Sequence, residues 1–113
     1  MILLVGLGWF DAEVRALDVA APLKVPHMGW NEISVRQGHK VITPLDGEDV
    51  YFVHGYGAAM AAAAQGDIAA TTDYGGPVIA ALARDNMIGV QFHPEKSQAA
   101  GLGLIERFLE WRP

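Results

Sequence analysis

The stretch from residue 89 to residue 97 reads Gly89-Val90-Gln91-Phe92-His93-Pro94-Glu95-Lys96-Ser97. The apolar run from Ile88 to Phe92 predicts a strand that ends just before His93. His93 and Glu95 then lie two positions apart, a spacing that points both side chains the same way at a strand end. An imidazole beside a carboxylate is typical of a general base and the group that orients it. On spacing alone, a surface histidine beside a solvated glutamate is the more common explanation of such a pair.

The composition is that of a single packed unit. At 113 residues the chain is one domain or part of one, and its hydrophobic content of 51% supports a core. The net charge of −5 argues against nucleic acid and anionic membranes as partners. The chain has no cysteine, so it contains neither a disulfide nor a cysteine nucleophile, and this fits a cytoplasmic protein.

Runs of β-prone or alternating residues predict that most of the chain is strand. The predicted strands are residues 13–17, 32–35, 50–54, 68–72, 78–82 and 88–92. Residues 26–31 are predicted to be a loop, because Pro26 and Gly29 interrupt regular structure. Residues 44–47 and 73–77 are predicted turns. The alanine-rich stretch 58–64 fits either a helix or a strand.

The end of the chain predicts one helix, because four apolar residues share one helical face. These are Leu102, Ile105, Phe108 and Leu109. The chain has many predicted strands but a single predicted helix, whereas a doubly wound sheet usually has more helices in alternation with its strands. The pattern therefore predicts that part of a larger fold is absent.

Four stretches carry a resemblance to a known family. Residues 91–97 resemble the C-terminal signature of class I, or triad-type, glutamine amidotransferases. Residues 26–31, residues 51–56 and the segment Gly6-Leu7-Gly8-Trp9 narrow the resemblance to the glutaminase subunits of imidazole glycerol phosphate synthases, which serve histidine biosynthesis. The resemblance runs in order over nearly the whole chain. It implies an α/β, flavodoxin-like mixed sheet, of which residues 1–113 would be the C-terminal half, rich in strands with one C-terminal helix.

The resemblance also implies a reaction. In the family a cysteine on a strand-to-helix elbow attacks the side-chain amide of L-glutamine, and the histidine, here His93, transfers the thiol proton to the departing ammonia. The acid, here Glu95, orients the histidine, and water hydrolyses the resulting glutamyl thioester. The ammonia passes to a cyclase partner, a (β/α)₈ barrel, in a heterodimer. No cofactor is implied, and the spacing of the histidines does not favour a metal site.

Further site residues follow from the resemblance. Met28, Trp30, Tyr51 and Lys96 match positions that face the cyclase, although core packing for Tyr51 and simple solvation for Lys96 are open alternatives. Gly55 and Tyr56 match a loop that contacts glutamine. The family commonly has a hydroxyl residue where Gly55 stands, so one side-chain hydrogen bond to glutamine is lost. His54 is expected to be a structural, hydrogen-bonded residue.

One departure from the family pattern decides what the chain is expected to do alone. Nothing in it matches a nucleophile elbow, and neither Ser34 nor Ser97 lies in such a context. We therefore expect the nucleophile half to be absent and the isolated chain to be inactive. The alternative is a non-catalytic binding module, or one half of a split enzyme, that docks on the cyclase barrel or on an N-terminal half. An uncovered sheet edge also predicts self-association.

Overall fold

A computed structural model of the chain describes residues 14–16, 27–54, 56–58, 65–84 and 87–111. The strands are β1 Val14–Ala16, β2 His27–Glu32, β3 Ser34–Val35, β4 Asp49–His54, β5 Tyr56–Ala58, β6 Ile68–Asp73, β7 Pro77–Arg84 and β8 Met87–Val90. Short 3₁₀ turns span Thr43–Leu45, Gln65–Asp67 and Pro94–Lys96, and helix α1 spans Gln98–Glu110. Within these ranges, no helix is long and apolar enough to cross a membrane.

The largest sheet has four antiparallel strands in the order β3-β6-β7-β8. β6 and β7 form the hairpin that the sequence predicts, and the turn between them uses Gly75 and Gly76 at positive φ. The Asp73 carboxylate accepts a hydrogen bond of 3.0 Å from the Gly76 amide, which closes this turn. β8 ends at Val90, two residues earlier than predicted, and Gln91 and Phe92 bend away from it.

A second, two-stranded sheet pairs β2 with β4 and corrects the prediction of a loop at residues 26–31. All six residues of β2 pair with β4, from His27 opposite His54 to Glu32 opposite Asp49. Burial alternates along both strands, as it does in a half-buried ribbon. The loop prediction was wrong because Gly29, at a φ of +125°, is accommodated inside the strand without breaking the pairing. A third sheet, β1 with β5, is also antiparallel.

The core lies between these sheets and α1. Its buried members come from the β2–β3 junction, the segment around the first 3₁₀ turn, β4, β6, β7, the start of the His93 segment and α1: Ile33, Val41, Ile42, Leu45, Val50, Phe52, Ala69, Ala70, Ala80, Ala81, Phe92 and Leu104. Alanines on β6 and β7 let the layers approach closely, and Phe52 and Phe92 fill the space beside them. Their rings meet edge to face at 6.0 Å.

Helix α1 is confirmed, but its apolar face is not the buried one. Gly101 and Leu104 are its buried residues, whereas Leu102 is 58% and Leu109 is 77% exposed. Phe108 is also exposed, at 51%. The side of the helix that packs on the molecule is therefore narrow, and the wider apolar face is left uncovered among the described residues.

Candidate active site

The His93 segment is fixed by contacts to β4. The His93 amide donates a hydrogen bond of 2.9 Å to the Tyr51 carbonyl. Phe92, directly before His93, is buried against Phe52 of the same strand. Pro94 then begins a 3₁₀ turn, because its fixed φ suits the first position of a helix. The chain therefore leaves the core at residue 92 and presents residues 93–96 at the surface.

The turn brings His93 and Glu95 together. His93 Nδ1 lies 2.7 Å from Glu95 Oε1, and their side chains are 39% and 60% exposed. The pKa of Glu95 is lowered, first by the hydrogen bond from its own backbone amide and next by the bond to His93. An ionised Glu95 accepts a hydrogen bond from Nδ1–H, which leaves Nε2 as the ring nitrogen that can take a proton from elsewhere. This is the arrangement that base catalysis requires of a histidine and its orienting acid.

Three predicted interface residues form one exposed patch, which we call the ribbon face: Met28, Trp30 and Tyr51. Met28 is 61% and Trp30 46% exposed, and the Trp30 ring meets the Tyr51 ring edge-on at 5.6 Å. Lys96, in the His93 turn, places its Nζ 6.0 Å from the Tyr51 ring centroid. Tyr51 is half-buried. The structure therefore brings all four residues together on one side of the β2–β4 ribbon, next to the His93 turn.

The predicted glutamine-contacting residues are not placed. Gly55 lies outside the described residues. Tyr56 begins β5, and the structure describes its backbone but not its side chain.

A pair of buried histidines is a feature that the sequence analysis missed in part. His27 Nδ1 lies 2.9 Å from His54 Nε2, so His54 is hydrogen-bonded as expected, but its partner was assigned to a loop. His27 is stacked between Phe52 at 4.6 Å and Tyr74 at 3.9 Å. Burial first, and the neighbouring His54 second, lower the pKa of His27 to about 4. Every second residue of β2 and β4 faces inward, and this alternation is the signal that could have predicted the contact between His27 and His54.

This pair predicts a loss of stability in mild acid. In the unfolded chain His27 has its ordinary pKa of 6.5, whereas in the folded chain its pKa is about 4. The unfolded state therefore binds more protons in between, and stability falls as pH drops from 6.5 towards 4, by up to about 3 kcal/mol. Urea unfolding across this range measures the loss.

The control for this prediction is His39. It is half-buried, and burial lowers its pKa as well, but it lies outside the ribbon. His27→Gln should flatten the pH dependence much more than His39→Gln. An unchanged slope in His27→Gln would show that the buried pair is not its source.

Among the described residues, no group of three or more histidine, aspartate or glutamate side chains is arranged to hold a metal ion.

An apolar groove of about 280 Å³ lies on the other side of the His93 turn. It is lined by Ile88, Gly89, Val90, Pro94, Leu104, Ile105 and Phe108. β8 is an edge strand of the described sheet at this groove. The lining lacks the polar groups that would hold the amide and charged ends of glutamine, and is instead typical of a surface that packs against protein.

Comparison with known proteins identifies the family of the chain. The family model for class-I glutamine amidotransferases matches residues 8–110. The chain belongs to this family. The match to class-I glutamine amidotransferases includes the His93 turn, the ribbon face and all of α1.

The relatives of this amidotransferase chain point to one branch of the family. It is 50% identical over 109 residues to a protein of Azospirillum brasilense named imidazole glycerol phosphate synthase subunit HisH, with 95% of this chain and 56% of the relative covered. Proteins of the same name from Brucella abortus (strain 2308) and Caulobacter vibrioides are 49% and 48% identical, each with 96% of this chain and 51% of the relative covered. The chain spans about half the length of the curated relatives it matches.

A solved structure supports the amidotransferase fold. A crystal structure from Thermoplasma acidophilum, of a protein described as a candidate GMP synthase subunit, matches with a TM-score of 0.66. The sequence identity is 18%, and the match covers 94% of this chain and 50% of that one. At this identity the match bears on the fold alone. It confirms the predicted α/β, flavodoxin-like class.

Proposed function

We propose that the chain carries the base and its orienting acid for glutamine hydrolysis in an imidazole glycerol phosphate synthase. The observation that carries this proposal is the 2.7 Å contact between His93 and Glu95 on a surface turn. The names of relatives that are 48–50% identical favour the same activity. The product ammonia would pass to a cyclase barrel bound at the ribbon face.

The geometry supports a defined series of proton transfers. His93 Nε2 takes the proton of a cysteine thiol as the sulfur attacks the side-chain carbonyl carbon of glutamine. The same proton goes to the amide nitrogen, the C–N bond breaks, and ammonia leaves a glutamyl thioester. His93 next takes a proton from water as the oxygen attacks the thioester, and returns it to the departing sulfur. Glu95 holds the ring tautomer and stabilises the imidazolium in both halves.

The thiol in this scheme comes from outside the 113 residues. The chain has no cysteine, and it spans about half the length of the curated relatives it matches. We infer that residues 1–113 correspond to part of an amidotransferase domain whose nucleophile elbow is supplied by another segment or chain. Gly55 and Tyr56 would lie at the glutamine, and the whole would act in the cytoplasm.

A joined protein tests this proposal. A cysteine-bearing nucleophile half of a class-I glutamine amidotransferase is fused ahead of residue 1, and ammonia release from glutamine is measured. The proposal predicts release that disappears when the cysteine is replaced by alanine. A folded fusion that binds its cyclase but releases no ammonia would contradict it.

The ribbon face favours a second candidate, a binding module for the cyclase barrel. Exposed Trp and Met beside a Tyr are common anchors of protein interfaces, and Lys96 adds one positive charge at the edge. The binding-module hypothesis predicts that the chain binds the cyclase and that ammonia release is never restored, and this result distinguishes it from the catalytic proposal.

Trp30→Ala is expected to weaken binding to the cyclase subunit of an imidazole glycerol phosphate synthase by about tenfold or more. This is the effect of removing a central aromatic anchor. Phe108→Ala is the matched control, because Phe108 is a similarly exposed aromatic residue on a different surface. Isothermal titration calorimetry measures both variants. Equal loss in the two variants would show that the ribbon face is not the docking surface.

The groove beside β8 predicts how the isolated chain behaves. We propose that this groove receives the cysteine-bearing half of the domain, because it adjoins both the edge strand and the His93 turn. Without that half, apolar residues of α1 remain exposed, and we expect copies of the chain to associate.

Light scattering should show a dimer or larger species, and Ile105→Lys combined with Phe108→Lys should shift it to monomer. Trp30→Lys, which adds the same charge to the ribbon face, should leave the association intact. A monomeric native chain would contradict the expectation.

A further inference from the structure

Ser97 stands where a serine normally caps a helix, but it does something else. It is the residue directly before Gln98, the first residue of α1, and serine is favoured at this position because its hydroxyl accepts from a free amide of the first turn. In this chain Ser97 makes no such side-chain hydrogen bond. The side chain is also fully buried, at 1% exposure. The hydroxyl must therefore satisfy its hydrogen-bonding capacity with other partners.

Those partners are the strand and the residue that hold the base. Ser97 Oγ accepts a hydrogen bond of 3.0 Å from the Tyr51 amide and donates one of 2.7 Å to the His93 carbonyl. The His93 amide in turn donates to the Tyr51 carbonyl at 2.9 Å. Both backbone polar groups of His93 are thus connected to Tyr51, one directly and one through the hydroxyl. We call this set of three hydrogen bonds the Ser97 bridge.

The pairing of β4 explains why a side chain is needed there. Tyr51 lies opposite Trp30 in the β2–β4 ladder, yet its amide hydrogen bond goes to Ser97 Oγ, on the side of β4 away from β2. A buried amide without a partner is costly, so the hydroxyl both satisfies β4 and attaches the turn to it. Gln98, the next residue, has a φ of +51°, in the left-handed region that residues other than glycine rarely adopt.

We propose that Ser97 is a positioning residue, whose hydroxyl sets the geometry of the His93–Glu95 pair by fixing the turn to β4. This inference rests on the proposed role of that pair and extends it to a residue that touches neither side chain. The turn is exposed on its outer side, and on its inner side the bridge fixes His93 to β4 while Gly101 of α1 packs against Pro94. Losing the hydroxyl should loosen the turn without removing either member of the pair.

The test measures Glu95 rather than ammonia, so its failure is distinguishable from failure of the proposed function. The pKa of Glu95 is lowered by its own amide, by His93 and by Lys96, all of which belong to the turn. Carboxyl carbon NMR of the 113-residue chain follows the Glu95 titration, with Glu95→Gln to assign the signal. In Ser97→Ala the Glu95 pKa should rise towards the ordinary glutamate value.

Thr72→Ala is the matched control. Thr72 is buried and its hydroxyl donates one hydrogen bond of 2.8 Å to the Glu32 carbonyl, away from the turn. It should lower thermal stability as Ser97→Ala does, but leave the Glu95 titration unchanged. A native Glu95 titration in Ser97→Ala, or an equal rise in Thr72→Ala, would overturn the proposal.

Should Ser97→Ala fail to fold, hydrogen exchange of the native chain decides the matter. The Tyr51 amide should be protected, because its acceptor is the buried hydroxyl. Exchange of that amide at the rate of an open peptide would overturn the proposal.

Discussion

His93→Ala is expected to reduce ammonia release by about 10²- to 10⁴-fold in the protein that joins this chain to a cysteine-bearing half. The expected loss follows from the geometry of the pair. Glu95 occupies Nδ1 at 2.7 Å, so the proton of the thiol has to go to Nε2 of the same ring. Alanine removes the only described imidazole on this turn, and the thiol loses its base.

The comparison variant for this prediction is His39→Ala. His39 is half-buried, accepts a hydrogen bond from the Val41 amide and contacts the Trp111 ring, remote from the turn in sequence. It should affect stability more than turnover. The rate of ammonia release at saturating glutamine measures turnover in both variants, and thermal unfolding measures their stability. A His93→Ala rate within tenfold of the parent rate would show that His93 is not the base.

Gly101→Ala is expected to destabilise the chain by about 3 kcal/mol or more, the second large effect. A Cβ on Gly101 would lie 1.9 Å from the Pro94 carbonyl oxygen and 2.9 Å from Ser97 Cβ. Both neighbours belong to the His93 turn or its end, and the closest contact is backbone. Neither can rotate out of the way, so α1 or the turn has to move. Thermal unfolding should show a fall in Tm of more than about 10 °C.

Gly103→Ala makes the matched control on the same helix. Its Cβ would meet Arg107 Nη1 at 3.0 Å, which is the end of a flexible side chain. Because alanine has a higher helix propensity than glycine, Gly103→Ala should leave the free energy of unfolding unchanged or raise it by about 0.5–1 kcal/mol. If the two variants unfold at the same temperature, close packing under the His93 turn is not what Gly101 provides.

The elements that the sequence predicts well are those whose pattern is set locally. β4, β6 and β7 are continuous or alternating β-prone runs, and the turn between β6 and β7 contains the two glycines that its backbone needs. Helix α1 has clear 3.6-residue periodicity. In the three strands local preference and tertiary packing agree, so the pattern is sufficient; for α1 it predicts the helix but not the face that is buried.

The elements that the sequence predicts poorly depend on partners elsewhere in the chain. β2 contains Gly29 and follows Pro26, so its local signal is that of a loop, and only the six-residue pairing with β4 makes it a strand. The helical pattern also does not predict that Gly101 is buried and Phe108 exposed, because the buried face of α1 depends on which other elements pack against it.

The candidate site divides in the same way. His93 and Glu95 are two residues apart, so their meeting is a local property that spacing predicts. The Ser97 bridge and the His27–His54 pair join positions 46 and 27 residues apart. No sequence motif marks such contacts, because a serine before a helix usually indicates a cap and a histidine after a proline a loop residue.

Ammonia release from glutamine, measured for this chain alone and for the same chain mixed with a cysteine-bearing amidotransferase half, is the most direct test of the account. We predict no release by the chain alone, and release by the mixture that requires both the added cysteine and His93. Turnover by the chain alone that disappears in His93→Ala would contradict the account, because the pair would then act without a thiol.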